Sequence, residues 1–128
     1  MKEFSNWNQI KINTDSHTSF LNLREGEVRW CRVGINIGDE VLGKGKSFVR
    51  PVLVLKKFSK NVFLGAPLTS KVRLGDWYFP LESKGFRSSV ILNQVRLFDK
   101  KRLEEKLFEV SEKELEKIKH AYCSLILS

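Results

Sequence analysis

With 128 residues, 41% hydrophobic and 30% charged, the chain is long enough for one domain with a core of its own, burying about two thirds of the surface that the unfolded form exposes. Two cysteines are too few for a disulfide framework and lack metal-ligand spacing, so Cys31 and Cys123 read as small buried hydrophobes in a reducing compartment; no run approaches the roughly 20 apolar residues of a membrane span, and the first residues lack the apolar core of a signal peptide, which predicts a cytosolic protein. The net charge of +8 is concentrated, because residues 29–102 carry sixteen basic and five acidic side chains (+11) while residues 1–28 carry −1 and residues 103–128 carry −2. Such a block marks affinity for a polyanion, since each phosphate neutralised releases condensed counterions, although a generically basic soluble domain has the same composition.

In chain order, Phe4, Trp7 and Ile10 stand at helical spacing in an otherwise polar stretch, which predicts a short helix or arm over residues 1–24 ahead of a domain over 25–128. From Glu27 onward, short runs rich in Val, Ile, Phe, Tyr and Trp alternate with Gly, Pro, Asn and Ser, the pattern of a small antiparallel barrel or sandwich. Strands are expected near 27–33, 48–57, 61–67, 77–82 and 88–97, with loops near 36–47, 68–76 and 83–87. The run Pro51–Leu55 is apolar at both parities, so both faces of that strand should be covered. Pro51 belongs at a strand beginning or an edge, which leaves Arg50 at the strand entrance.

Asp99 can cap a short helical turn over KKRLEEK. The clearest helix closes the chain. Ser111 and Glu114 form a capping box, Val110 and Leu115 occupy the staple positions, and Leu115, Ile118, Tyr122, Leu125 and Ile126 make one apolar stripe.

Chemistry-bearing patterns are few. There is no HExxH and no CxxC, and the acids that cluster lie mostly on the last helix, where a solvated face explains them, so no metal or other cofactor is expected. The only histidines are His17, in a polar stretch, and His120, opposite the apolar stripe. What remains is an arginine, hydroxyl and glycine set. RNA can be cut without a metal because its own 2′-OH attacks the adjacent phosphorus, so a protein needs to align the groups, stabilise the phosphorane and handle two protons. Arg50 offers a planar fork of donors, and Thr69 and Ser70 offer hydroxyls. Either set is equally at home in a strand end or in a turn that satisfies its own backbone. Gly38, Gly43 and Gly45, with Lys44 and Lys46, make a loop whose backbone can approach a nucleic acid strand, as well as a plain hairpin connection. Trp30, Trp77, Tyr78 and Phe79 could stack on unpaired bases, but aromatic residues in barrel strands more often serve the core.

Several segments in fixed order carry a resemblance: REGEVRWC at the first strand, Gly38-Asp39-Glu40 ahead of a Gly/Lys loop, Arg50-Pro51 opening the second strand, Pro67-Leu68-Thr69-Ser70, Gln94-Val95-Arg96, and a closing helix. Over about residues 24–127 the chain resembles the PemK/MazF-like family of toxin ribonucleases of type II toxin–antitoxin systems. The resemblance implies a mainly β fold, an SH3-like small antiparallel barrel (PemK/MazF/CcdB-like) with an amphipathic C-terminal helix. It also implies a homodimer that cleaves single-stranded RNA, leaving 2′,3′-cyclic phosphate and 5′-OH ends, and that a cognate acidic antitoxin silences. Arg50 and Thr69 match the family's catalytic pair. Glu40, Ser70 and Gln94 match positions near the RNA site, with Gly43, Lys44, Gly45 and Lys46 in the adjoining loop. A guanidinium is a poor base, so the resemblance leaves Glu40 as the candidate base and Arg50 as charge clamp. Val41 departs from the pattern, since the family commonly has glutamine there. The same fold is shared by a gyrase-poisoning toxin, CcdB, that cuts nothing, and a catalytically silent RNA-binding barrel would also fit the +11 segment.

Overall fold

The computed structural model describes residues 3–16, 21–34, 43, 48–71, 73–83 and 85–128. After the N-terminal helix α1 (Phe4–Asp15), seven strands follow: β1 (Glu27–Arg32), β2 (Val49–Lys57), β3 (Val62–Thr69), β4 (Tyr78–Ser83), β5 (Phe86–Ile91), β6 (Arg96–Asp99) and β7 (Leu103–Glu109). Helix α2 (Glu112–Leu127) ends the chain. The strands run in the order β4-β5-β3-β2-β1-β7, with β6 also paired to β3, in an antiparallel, barrel-like sheet whose path does not close on itself. The expected small antiparallel fold with a closing helix is therefore present.

β2 is the central strand and is buried on both faces, as the unbroken apolar run predicts: Val52, Leu53, Val54 and Leu55 are all at most 1% exposed. Alternation divides them between two cores. Leu53 and Leu55 join Val28, Ala66, Leu68, Val90, Leu92 and Phe108 beneath α2, whereas Val52 and Val54 join Leu23, Cys31, Phe63, Phe98 and Leu103 on the other side. α2 begins at Ser111, whose hydroxyl accepts from the Glu114 amide at 3.1 Å, and it docks through Leu115 and Ile118 with Tyr122 and Leu125 beside them. Two expectations on this helix need correction. Ile126 is 62% exposed and does not continue the stripe, because the helix has run past the sheet, and Cys123 is exposed on the solvent face instead of buried.

Two further segments differ from the sequence reading. The single strand expected over 88–97 is two strands separated by a 3-10 turn at Leu92–Gln94, which lets β6 swing from the β5 side of β3 to pair with its first half. Asp99 does cap a turn, accepting from the Lys101 amide at 2.9 Å, but the helical segment stops after Lys100–Arg102, and LEEKLFE forms β7. The β1–β7 ladder has register shifts on either side of Arg29, and these bring Leu103, Leu107 and Phe108 inward at a spacing that imitates a helix. Arg29 fastens the same ladder, donating to the Glu104 carbonyl at 3.0 Å and pairing at 3.1 Å with Glu27, itself 3% exposed.

α1 has little amphipathic pattern and is held by one wedge. Trp7 is 7% exposed, stands edge-on to Phe48 at 5.9 Å, and has the Arg102 guanidinium over its ring. Gly34, with φ +83°, makes room for it, since a Cβ there would lie 2.1 Å from the indole. Arg32 donates to Thr14 Oγ1 at 2.9 Å and Lys101 to the Asp15 carbonyl at 3.0 Å, which seats the C-terminal end of the helix on cations as its dipole favours. Trp7→Ala should weaken this docking by about 3 kcal/mol, seen as fast proteolysis within residues 3–16 while the remainder of the chain survives; wild-type protection of α1 would contradict the wedge.

Glu25 ties three elements together. Its carboxylate accepts from the Lys57 amide at 2.8 Å and from Lys119 of α2 at 3.3 Å, with Lys56 at 3.9 Å. Partial burial works to raise its pKa, but the Lys57 hydrogen bond and then the lysine charges outweigh it and hold the carboxyl below its ordinary value of 4.5. A depressed carboxyl contributes stability that is fully present above the unfolded pKa and is lost as pH falls through the lower folded one. Urea midpoints taken downward from pH 4.5 should therefore fall less steeply in Glu25→Gln than in the wild type; parallel curves would show that Glu25 does not act this way.

Candidate active site in the fork of the sheet

β3 changes partners along its length. It pairs with β2 as far as Val52↔Pro67 and then hands over to β5 at Leu68↔Val90 and Thr69↔Ser89. Pro67 closes the β2–β3 ladder and Pro51 lies just beyond it, so both prolines stand where a missing amide hydrogen breaks no long ladder. Past that point β2 and β3 splay, and Arg50 bridges them: its Nη1 donates to the Leu68 carbonyl at 3.1 Å. The carbonyl belongs to the peptide joining Leu68 to Thr69. The guanidinium is therefore one peptide from Thr69, and the β2–β3 register, continued two residues, sets Arg50 directly across from Thr69.

A cleft of about 400 Å³ opens in this fork. Its apolar lining comes from Trp30, Val49, Pro51, Leu68, Leu107 and Phe108, and its polar lining from Arg50, Thr69, Ser70, Arg87 and Ser88. Strand alternation puts Trp30, Pro51 and Leu68 on one side and Arg50 and Thr69 on the other, and the cleft is bounded by both sets. The cleft lies within the volume range of small-molecule sites, about 300–1,000 Å³.

Burial lowers the pKa of the half-buried Arg50 guanidinium from its ordinary value, because the low-dielectric surroundings disfavour its charge. An anion bound there would restore the charged form. Thr69 is 8% exposed, and its hydroxyl oxygen accepts from the Lys71 amide at 3.3 Å, which leaves the hydroxyl hydrogen to be donated elsewhere. Ser70 is exposed at the edge of the cleft. Ser88 Oγ is buried and has no hydrogen-bond partner among the described residues, a state that costs a hydroxyl about 1–3 kcal/mol.

Of the residues singled out in the sequence, Arg50, Thr69 and Ser70 meet in one cleft. Gln94 ends the 3-10 turn after β5, half-buried, and is not among the residues lining it. Gly43 is held by its own chain: its amide donates to the Gly34 carbonyl at 2.7 Å, and a Cβ on it would lie 1.7 Å from the Phe48 carbonyl. Glu40, Val41, Lys44, Gly45, Lys46 and His17 lie outside the described residues. His120 is exposed on α2, 3.8 Å from Glu116. Among the described residues no group of three or more His, Cys, Asp or Glu side chains could hold a metal ion, and no helix is long and apolar enough to cross a membrane. Trp30, Arg87 and Ser88 were not selected from sequence. For Trp30 the available signal was its parity with Val28 in β1, which points it toward Pro51; Ser88 and Arg87 carry no signal until β5 is placed beside Thr69.

A second cationic region lies on the far side of β1. Burial, and then the like charge of Arg96, lower the pKa of Arg102, which donates to the Arg32 carbonyl at 3.0 Å. Cys31, paired with Arg50 across β1–β2, is fully buried, and burial pushes its thiol up to about 12 despite these neighbouring cations.

Residues 24–126 match the family model described as PemK-like, MazF-like toxin of type II toxin-antitoxin system. No curated protein sequence matches the chain. Among solved structures, MazF from Deinococcus radiodurans is similar with a TM-score of 0.68 and 23% identity, covering 84% of this chain and 99% of that one. A MazE-MazF structure from the same organism aligns with a TM-score of 0.63 and 20% identity over 83% of this chain and 96% of that one. An endoribonuclease in complex with its cognate antitoxin, from a mycobacterial species, aligns with a TM-score of 0.63 and 16% identity over 81% and 94%. At these identities the likeness establishes the fold.

Because the thiolate is the nucleophile, alkylation of the native protein at pH 8 should label Cys123 and spare Cys31, with the second adduct appearing only on unfolding. Mass spectrometry of the intact protein reads this directly, and a native double adduct would mean that the strand β1 opens.

Proposed function

Since the chain belongs to the PemK-like, MazF-like toxins of type II toxin–antitoxin systems, we propose that it is an endoribonuclease that cuts single-stranded RNA and that an acidic antitoxin holds it in check. The observation that carries this reading is the Arg50 guanidinium held at the Leu68–Thr69 peptide beside an open cleft. RNA supplies its own nucleophile, so the protein has to position and stabilise. Arg50 clamps the phosphate with a guanidinium already stripped of part of its water, where each charge-assisted hydrogen bond is stronger than in solution. Thr69 donates its hydroxyl hydrogen to a phosphate oxygen as negative charge accumulates in the phosphorane, and Ser70 stands beside it.

Arg50 is not the base, because a guanidinium holds its proton even with a lowered pKa. Glu40 takes the 2′-OH proton in this reading, and Gly43, Lys44, Gly45, Lys46 and Gln94 contact RNA flanking the scissile phosphate. The products are a 2′,3′-cyclic phosphate and a 5′-OH. Residues 25–128 form the toxin domain in this account, with residues 1–24 as an arm, and the protein works in the cytoplasm as a homodimer. Support for the antitoxin comes from the similar mycobacterial endoribonuclease, whose structure contains its cognate antitoxin, and from the +11 segment, which suits an acidic disordered chain as well as RNA.

Purified protein incubated with mixed single-stranded RNA in the presence of a chelator should cut it to those ends. Arg50→Ala and Arg50→Lys, with native circular dichroism, should each lower kcat/KM by about 10²–10³-fold. Ends bearing 3′-OH and 5′-phosphate would indicate a different mechanism, and wild-type turnover by either folded variant would remove Arg50 from the reaction.

A further inference from the structure

The cleft in the fork has a property that phosphate binding leaves unexplained: most of its wall is apolar, and a hydroxyl is buried in it without a partner. A phosphate needs donors and water, and it is served by Arg50 at the edge. The apolar body of the cleft suits a flat, weakly polar group with one hydrogen-bonding edge. Single-stranded RNA presents such a group, because its unstacked bases can be splayed out, laid against aromatic side chains and read along their edges.

Resting on the ribonuclease reading above, we propose that the cleft is a nucleobase subsite in which Trp30 packs on the base and Ser88 hydrogen-bonds its edge, making Ser88 a specificity-determining residue. Three features support this occupant. Ser88 lies across β5 from Leu81 and two residues from Val90, both buried, so the sheet that carries it is fixed and its hydroxyl cannot move to find water. Trp30 is half-buried opposite Pro51, with a wide apolar face on the cleft. The cleft also adjoins the Leu68–Thr69 peptide held by Arg50, so a base lodged in it has its own phosphate at the guanidinium. Arg87 stands at the mouth, paired with Glu82 only at 3.8 Å between exposed side chains, a contact that a neighbouring phosphate could replace.

A group buried without its partner is completed only by the right ligand edge, so discrimination should reside at one position of the RNA. The test compares wild type, Ser88→Ala and Trp30→Phe in two measurements. In the first, each protein cuts a pool of single-stranded RNA randomised over a short segment, and the cut ends are sequenced. Ser88→Ala should lose about tenfold preference at one position, keep it at the others, and melt no lower than wild type, since it removes an unsatisfied hydroxyl. In the second, quenching of tryptophan fluorescence is titrated with the four ribonucleoside 5′-monophosphates. One nucleotide should quench wild type selectively, Ser88→Ala should lose that selectivity, and Trp30→Phe should lose the quench.

A sequence preference in Ser88→Ala identical to wild type overturns the subsite even when RNA is cut. A Trp30 signal that depends on protein concentration and not on nucleotide gives the cleft to a second copy of the chain and overturns it as well. Selective, Ser88-dependent quenching by a protein that cuts no RNA keeps the subsite and discards the ribonuclease reading, so the two can fail separately.

Discussion

The structure turns on a strand that serves two ladders. β3 holds β2 and β6 with its first half and β5 with its second, and at the change-over the Leu68 carbonyl is taken by the Arg50 guanidinium. That hydrogen bond does in one contact what a continuous ladder would do with several. It holds the splayed strands, satisfies a carbonyl, and keeps a cation half out of water beside a threonine. A regular sheet at this point would bury Arg50's place in the ladder and leave no cleft. The site is thus a by-product of how a small sheet divides itself between two cores.

Charge contributes less directly than composition suggests. Many of the cations are already engaged: Arg29 with Glu27, Arg32 with Glu104 and Thr14, Lys119 with Glu25, and Arg102 with the Arg32 carbonyl and the Trp7 ring. The excess positive charge gives the molecule its long-range field, whereas contact at the fork depends on one half-buried arginine and an apolar wall. Attraction and recognition are handled by different residues.

Much of the fold was legible because local and global signals agree. The apolar run Pro51–Leu55 can only be a strand covered on both faces, and Ser111 with Glu114 announces α2 one residue before it starts. The reading failed where pairing overrides a local pattern. Asp99 caps as its type predicts, yet Leu103, Leu107 and Phe108 reach the core through bulged β pairing with β1, and their helix-like spacing misleads. The break at Leu92–Gln94 has no glycine or proline to mark it, since it exists to pass β6 across β3. At the site, the nearness of Arg50 and Thr69 followed from the order of motifs, but Trp30, Arg87 and Ser88 join them only through the division of β3, which no one-dimensional pattern records.

The clasp at Gly34 has an evolutionary corollary. Its amide donates to the Phe48 carbonyl at 3.0 Å and its own carbonyl receives the Gly43 amide, so the stretch spanning residues 35–42 leaves and re-enters the fold through a closed ring. The cost of bringing the ends together is met by those two contacts and by the indole lodged against them, and lengthening a closed excursion adds only about 0.6 kcal/mol per doubling. Descendants of this chain can therefore insert, delete or recode residues there without disturbing the strands on either side. The framework is insulated from whatever novelty that stretch acquires.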